Sequence, residues 1–330
     1  MLVTDQRASL HAGLSAMLRA PDAEFDASVA RIFSESCRVH LSAPFYPLDG
    51  TEALIAGFLR PLRTAFEGIH RRDEIFIAGD NRRDTGGHWA ASVAHYVGNF
   101  RAPFAGIRPS GRLAFLRAGE FYRIEGGRVT EARLILDLPD LMRQAGRMPF
   151  PQELGTEMLF PSPATHDGVL PQTGSGAESL DVVERMLSDL HAYDPQTFES
   201  AAQTGASGAW ADDMLWYGPS GIGANYRWSG FVKDHRAPFL TAFPDRKGGN
   251  HYCRIGDGNY AAVSGWPSMT MTHLGDYLGV PATHRALTLR VMDFYRIAGG
   301  RIAENWVLLD YLDLFAQMGI DLVARSNAME

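Results

Sequence analysis

The sequence predicts an α+β protein built from two consecutive copies of one domain, and three observations carry that prediction. The chain has 330 residues, more than a single hydrophobic core usually organises. Residues 112–146 (RLAFLRAGEFYRIEGGRVTEARLILDLPDLMRQAG) align without a gap onto residues 285–319 (RALTLRVMDFYRIAGGRIAENWVLLDYLDLFAQMG) at an offset of 173, sharing FYRI, GGR, Leu-Asp, Asp-Leu, Gln and a final Gly. A fixed offset of this kind is the mark of a tandem repeat. Within each copy helical periodicity comes first and strand periodicity later, the order of an α+β domain rather than of an alternating parallel sheet.

The first copy opens with Leu10, Leu14, Met17 and Leu18, and the second with Leu180, Val183, Leu187 and Leu190. Each set has the three- and four-residue spacing of a helix with one buried face. A second helix is expected after Thr51, a candidate N-cap, with Leu54, Ile55, Phe58, Leu59, Leu62 and Phe66 as its apolar stripe. EIFIAG and WAASVAHYV then read as strands, as do HYCRIG and YAAVSGW in the second copy. Each copy closes with a hairpin and a short helix. Gly126-Gly127 and Gly299-Gly300 suit the two-residue type I′ turn, whose central residues both need positive φ. Residues 149–177, dense in proline and glycine, read as a linker, so the domains are expected at 1–148 and 178–330.

Composition narrows the function. A formal net charge of -7 offers no electrostatic footprint for nucleic acid. Cys37 and Cys253 are too few for a disulfide framework or a cysteine zinc site. The start, MLVTDQRASLHAGL, is charged where a signal peptide would be apolar, and no apolar run approaches the roughly 18 residues that span a bilayer. A bacterial cytoplasmic protein is the expectation, without a membrane partner. The histidines never take a metal-ligand spacing: His88 and His95, an odd seven residues apart, fall on opposite faces of a strand. No metal and no cofactor are predicted.

Simple alternation outward from the second turn pairs Ala298 with Arg301, Tyr295 with Glu304, Asp293 with Trp306 and Leu289 with Asp310. Directly opposed residues point the same way, so Asp293, Tyr295, Glu304, Trp306 and Asp310 are expected on one chemical face. Ala303, Val307 and Leu309, with only Asn305 polar among them, would form a face that packs or dimerises. The same count in the first copy gathers Glu120, Tyr122, Glu131, Arg133 and Asp137, with Glu120 opposite Arg133. An arginine beside a carboxylate keeps it ionised, whereas a tryptophan-walled carboxylate is pushed toward the range of a general base. The second copy is therefore the expected site of chemistry. His251, Trp266, Trp216 and Tyr217 are further candidates for its pocket.

Residues 271–319, MTHLGDYLGVPATHRALTLRVMDFYRIAGGRIAENWVLLDYLDLFAQMG, resemble the SnoaL-like polyketide cyclases of the nuclear transport factor 2-like superfamily. The likeness lies in Thr-His-x-Gly, Leu-Gly-x-Pro-x-Thr, Asp-x-x-Arg, Gly-Arg-Ile-x-Glu-x-Trp and the late Asp with Gln-x-Gly. It implies two tandem cone-shaped α+β barrels (NTF2-like, cystatin-like), each with helices packed on a strongly curved antiparallel sheet around an apolar pocket. It also implies cofactor-independent aldol cyclisation or isomerisation of an apolar carbonyl compound, with Asp310 and His273 as acid/base candidates and Glu304, Asp293 and Trp306 shaping the pocket. In the first copy Phe100 stands for His273 and Arg133 for Trp306, so that copy is expected to be degenerate. A non-catalytic small-molecule binder or scaffold, or a hydrolase using carboxylate-activated water, stays open beside the cyclase. The two copies are expected either to pack as an intramolecular pseudo-dimer or to leave a face for a homodimer.

Overall fold

The structure, a computed structural model, describes residues 3–172, 174–190, 193–194, 196–198, 200, 203–204 and 208–329. The first copy runs α1 (Val3–Leu18), α2 (Asp22–Ile32), β1 (Phe33–Leu41), β2 (Leu48–Asp49), α3 (Thr51–Leu54), a π-helical turn (Ile55–Leu59), α4 (Arg60–Ala65), β3 (Phe66–Asp80), β4 (His88–Phe100), β5 (Leu113–Glu125), β6 (Arg128–Leu136) and α5 (Leu138–Gln144). The second runs α6 (Ala177–Leu190), β7 (Trp210–Tyr217), β8 (Ala224–Tyr226), α7 (Arg227–Phe231), a π-helical turn (Val232–Arg236), α8 (Ala237–Ala242), β9 (Cys253–Asp257), β10 (Tyr260–Thr272), β11 (Ala286–Ala298), β12 (Arg301–Leu309), α9 (Tyr311–Gln317) and α10 (Leu322–Asn327).

Leu10, Leu14, Met17 and Leu18 are buried as one stripe of α1, as their spacing requires. Thr51 is not the N-cap of its helix: Gly50 holds that place at φ 91°, and the Thr51 hydroxyl donates to the Ser34 carbonyl at 2.9 Å. In both copies the π-helical turn lies just before a helical proline, Pro61 or Pro238. Proline cannot donate to the preceding turn, and a widened turn absorbs that missing bond.

Each copy has one six-stranded sheet, ordered β2-β1-β6-β5-β4-β3 and β8-β7-β12-β11-β10-β9. The β1–β6 and β7–β12 pairs are parallel, so both sheets are mixed rather than wholly antiparallel. β1 is absent from the sequence reading although Cys37, Val39 and Leu41 alternate with Arg38 and His40 and are buried.

The hairpin register departs from simple alternation. Gly299 and Gly300 take φ 56° and 73° and Ala298 pairs with Arg301 as expected, but the next pairs are Ile297 with Ile302 and then Arg296 with Glu304. Ala303 is an extra residue, a β-bulge, and beyond it every β12 side chain changes face. Tyr295 consequently opposes Asn305, Asp293 opposes Val307 and Phe294 opposes Trp306. Thr130 makes the same bulge in the first copy, so Glu120 opposes Leu134 and Phe121, not Glu120, opposes Arg133. The expected five-residue chemical faces do not form.

The face carrying Trp306 meets its counterpart from the other copy. Ile75, Ile77, Phe121 and Ile135 pack with Ile255, Met292, Phe294 and Leu308 in one buried cluster, with Phe121 and Phe294 rings 5.6 Å apart. The segment between the copies is pinned to both: Gly168 and Leu170 bond the backbone of Phe76 in β3, and Thr156 bridges Ala224 in β8. On the far side of each sheet, helices cover a separate apolar interior.

Candidate functional site

In the second domain that interior holds a cavity of about 100 Å³ between the inner face of the sheet and α6, α7 and α8. Asp293 and Tyr295 of β11 and Asn305, Val307 and Leu309 of β12 form its floor. Trp210, Trp216 and Phe231 form an aromatic wall, with the Trp210 and Phe231 rings stacked at 5.9 Å. The bulge at Ala303 builds this floor, because it alone sets Asn305 beside Tyr295 on the face that Asp293 shares.

Asp293 is the acid of the cavity. Burial pushes its carboxyl up to about 7, against hydrogen bonds donated by the Asn305 amide and the Tyr295 hydroxyl. A carboxyl at that value exchanges a proton readily near neutrality. Burial drives the Tyr295 hydroxyl the other way from ionisation, so it stays a donor. His235 stacks on Trp216 at 4.5 Å and is held neutral, its pKa pulled down to about 3 by burial and then by Arg236 and Arg246. The His251 Nδ1 accepts from Arg254 Nε at 3.1 Å.

The other predicted residues lie elsewhere. Glu304 and Trp306 sit on the interdomain face: Trp306 stacks on Tyr217 at 5.2 Å and donates to the Pro161 carbonyl, and Glu304 accepts from the Ala164 amide, the Tyr217 hydroxyl and Arg296. Tyr217 and Trp266 face the same way, Trp266 lying under Arg290 and against His40. Asp310 caps α9 through the Asp313 amide, pairs with Arg290 at 2.8 Å and does not line the cavity, although burial raises its carboxyl to about 6. His273 is buried in the loop after β10, its Nδ1 accepting the Thr283 amide at 3.2 Å, and burial keeps it neutral. Thus Asp293, Tyr295, His251 and Trp216 converge, whereas Asp310, His273, Glu304, Trp306, Trp266 and Tyr217 do not.

In the first domain the same positions are filled. Glu120 and Tyr122 stand where Asp293 and Tyr295 stand, but Arg71 reaches in to pair with Glu120 at 2.6 Å and Asp73 at 2.7 Å. The hydroxyls of Tyr96 and Tyr122 donate to Glu120, and the remaining space is about 10 Å³. Glu131 pairs with Arg133 on the opposite face, and Asp137 caps α5 and pairs with Arg117 at 2.6 Å.

Sequence reasoning missed Trp210, Asn305 as a pocket residue, and Arg246, which also lines the cavity. The alternation of Trp210, Met214 and Trp216 is a signal for the wall, and the bulge concealed Asn305. Among the described residues no cluster of three His, Cys, Asp or Glu could hold a metal ion, and no helix is long and apolar enough to cross a membrane.

The family model for SnoaL-like polyketide cyclases matches residues 19–145 and again 194–318. Solved structures similar to this chain each cover less than half of it. TsrD from Streptomyces laurentii is 19% identical over 44% of this chain and 98% of its own, with a TM-score of 0.36. A Jannaschia sp. CCS1 protein described as SnoaL-like is 19% identical over 42% of this chain and 90% of its own, with a TM-score of 0.34. A Catenulispora acidiphila protein with a ketosteroid isomerase-like fold, solved with trimethylamine, is 15% identical over 42% and 92%, with a TM-score of 0.31. No curated protein matches the chain.

Proposed function

The chain belongs to the SnoaL-like polyketide cyclase family, and from that premise we propose that its second domain catalyses cofactor-independent proton transfer on a small carbonyl compound, with Asp293 as general base. The observation that carries this is the placement of Asp293, with its carboxyl raised to about 7, on the floor of an aromatic-walled cavity beside two hydrogen-bond donors.

The ionised Asp293 takes the proton from the carbon next to a carbonyl, leaving an enolate. Tyr295 and Asn305 hold the carboxylate before the step. Once Asp293 is protonated its pull on the Tyr295 hydroxyl weakens, and that donor turns to the new enolate oxygen, where a hydrogen bond in a dry site counts most, while the Asn305 amide stays tied to the Phe294 carbonyl at 3.0 Å. Returning the proton to another carbon gives isomerisation, and attack of the enolate carbon on a second carbonyl of the same molecule gives cyclisation. Asp310 and His273 serve this reading as supports of the fold rather than as reacting groups.

Cavity size bears on the substrate. An engineered cavity of about 150 Å³ accommodates one benzene ring, so about 100 Å³ takes a smaller compound unless the mouth widens. That volume also favours a second reading, a binding protein for a small ligand without turnover. Deuterium exchange at the α-carbon of a small ketone, followed by NMR, separates the two. Exchange that Asp293→Asn abolishes supports catalysis, and exchange unchanged in that variant overturns it.

A further inference from the structure

Among the described residues, one charged side chain of the cavity has no carboxylate beside it, and only the Tyr193 phenol acts in its favour. Arg246 lines the cavity from the segment between α8 and β9, and its Nε is fully buried without a hydrogen-bond partner. Among the described residues no carboxylate pairs with it. Its neighbour Asp245 is turned away to accept the Thr272 amide at 2.8 Å. The other arginines nearby are committed: Arg236 donates to the Phe198 and Leu190 carbonyls and to the Ser200 hydroxyl, and Arg254 pairs with Glu184 at 3.1 Å. His235 is neutral and cannot offset a cation.

Arg246 is half-buried, and the buried Nε, stripped of water without a partner, costs free energy in the free protein. An anion with two coplanar oxygens recovers that cost, because the guanidinium fork matches a carboxylate in two parallel hydrogen bonds. Asp293 is not that anion for Arg246: its hydrogen-bond donors are Asn305 and Tyr295, and it behaves as a carboxyl without a nearby cation.

We propose that Arg246 is a carboxylate-binding subsite of the second-domain cavity, and that the ligand class is a short oxo acid whose carboxylate meets Arg246 while its enolisable carbon faces Asp293. This deepens the acid/base reading of the same cavity and rests on it. At about 100 Å³ the cavity admits an acid of this size only as its mouth widens.

The test uses the full chain with 2-oxobutanoate and its uncharged methyl ester, at about pH 6, where Asp293 is mostly protonated and does not repel the acid. Binding is read by calorimetry and exchange at C3 by NMR in deuterated buffer near neutrality. The wild type is expected to bind the acid about tenfold tighter than the ester, the worth of a charge-assisted hydrogen bond. Arg246→Met, which keeps the apolar stem and removes the unpaired charge, is expected to erase that preference without lowering the melting temperature, and Arg246→Lys to restore part of it. Asp293→Asn is expected to keep the preference and lose the exchange. Equal binding of acid and ester, binding of neither, or a preference that survives Arg246→Met overturns the subsite. Exchange that persists in Asp293→Asn, with the preference intact, overturns the catalytic reading alone.

Discussion

The Asp310 carboxylate accepts the backbone amide of Ala43 at 3.1 Å, across the boundary between the two domains. The relationship is reciprocal: Asp137, its repeat counterpart, accepts the Ser220 amide of the second domain at 3.0 Å. Each aspartate caps the helix that follows its hairpin, pairs with an arginine of its own sheet and holds the loop after the first strand of the other copy. A residue positioned by the repeat thus clasps the repeat to itself.

Asp310→Ala removes the α9 cap and the Ala43 contact and leaves the partly buried Arg290 with only its looser pair to Asp313 at 3.8 Å. A lost cap costs about 1 kcal/mol and the lost hydrogen bond and weakened pair add to it, so a destabilisation of about 1–3 kcal/mol is expected in urea unfolding. Exchange activity per folded molecule should persist. Complete loss of activity in a folded Asp310→Asn variant would return that residue to the reacting site.

Asp293 sets a pH dependence with a definite sign. Its carboxyl stands at about 7 in the folded chain against 3.8 for an ordinary aspartate. The folded state therefore binds the proton more tightly, and stability falls as pH rises between those values, by up to about 4 kcal/mol. Asp293→Asn lacks this loss, so its stability relative to wild type should grow from pH 4 to pH 7 and then level off. Wild-type kcat/KM should rise through about pH 7 as the base ionises. A flat difference in stability across that window would contradict the assignment.

The first domain makes a contrasting prediction. Arg71 faces two buried carboxylates, Glu120 and Asp73, the latter held down to about 2 with Arg71 as the chief lowering influence. Arg71→Met leaves Glu120 without a cation and Asp73 with only His11, at 3.3 Å, and Ser92, and is expected to cost about 3–5 kcal/mol. Adding Glu120→Gln should recover part of that loss in a double-mutant cycle. Neither change is expected to alter exchange in the second domain.

Where the sheets meet, backbone approaches backbone. A Cβ at Gly79 of β3 would lie 2.6 Å from the Gly256 carbonyl oxygen of β9. Gly79→Ala must push the two strands apart, and overpacking of this kind costs about 1–3 kcal/mol. The effect should appear as a lower melting temperature of the full chain.

What the sequence determined by itself was the duplication, the helical stripes and the two turns. Those features are local or recur at a fixed offset, so Leu10 to Leu18 and the Gly-Gly pairs are legible from spacing alone. Tertiary structure decided which residues share a face. Ala303 and Thr130 carry no sign of a bulge, yet one extra residue in a period of two turned Glu304 and Trp306 toward the other domain and brought Asn305 to Asp293. It also decided which charges find partners. Arg71 and Arg246 are the same residue type in sequence, and only packing placed two carboxylates against the first and an apolar cavity beside the second.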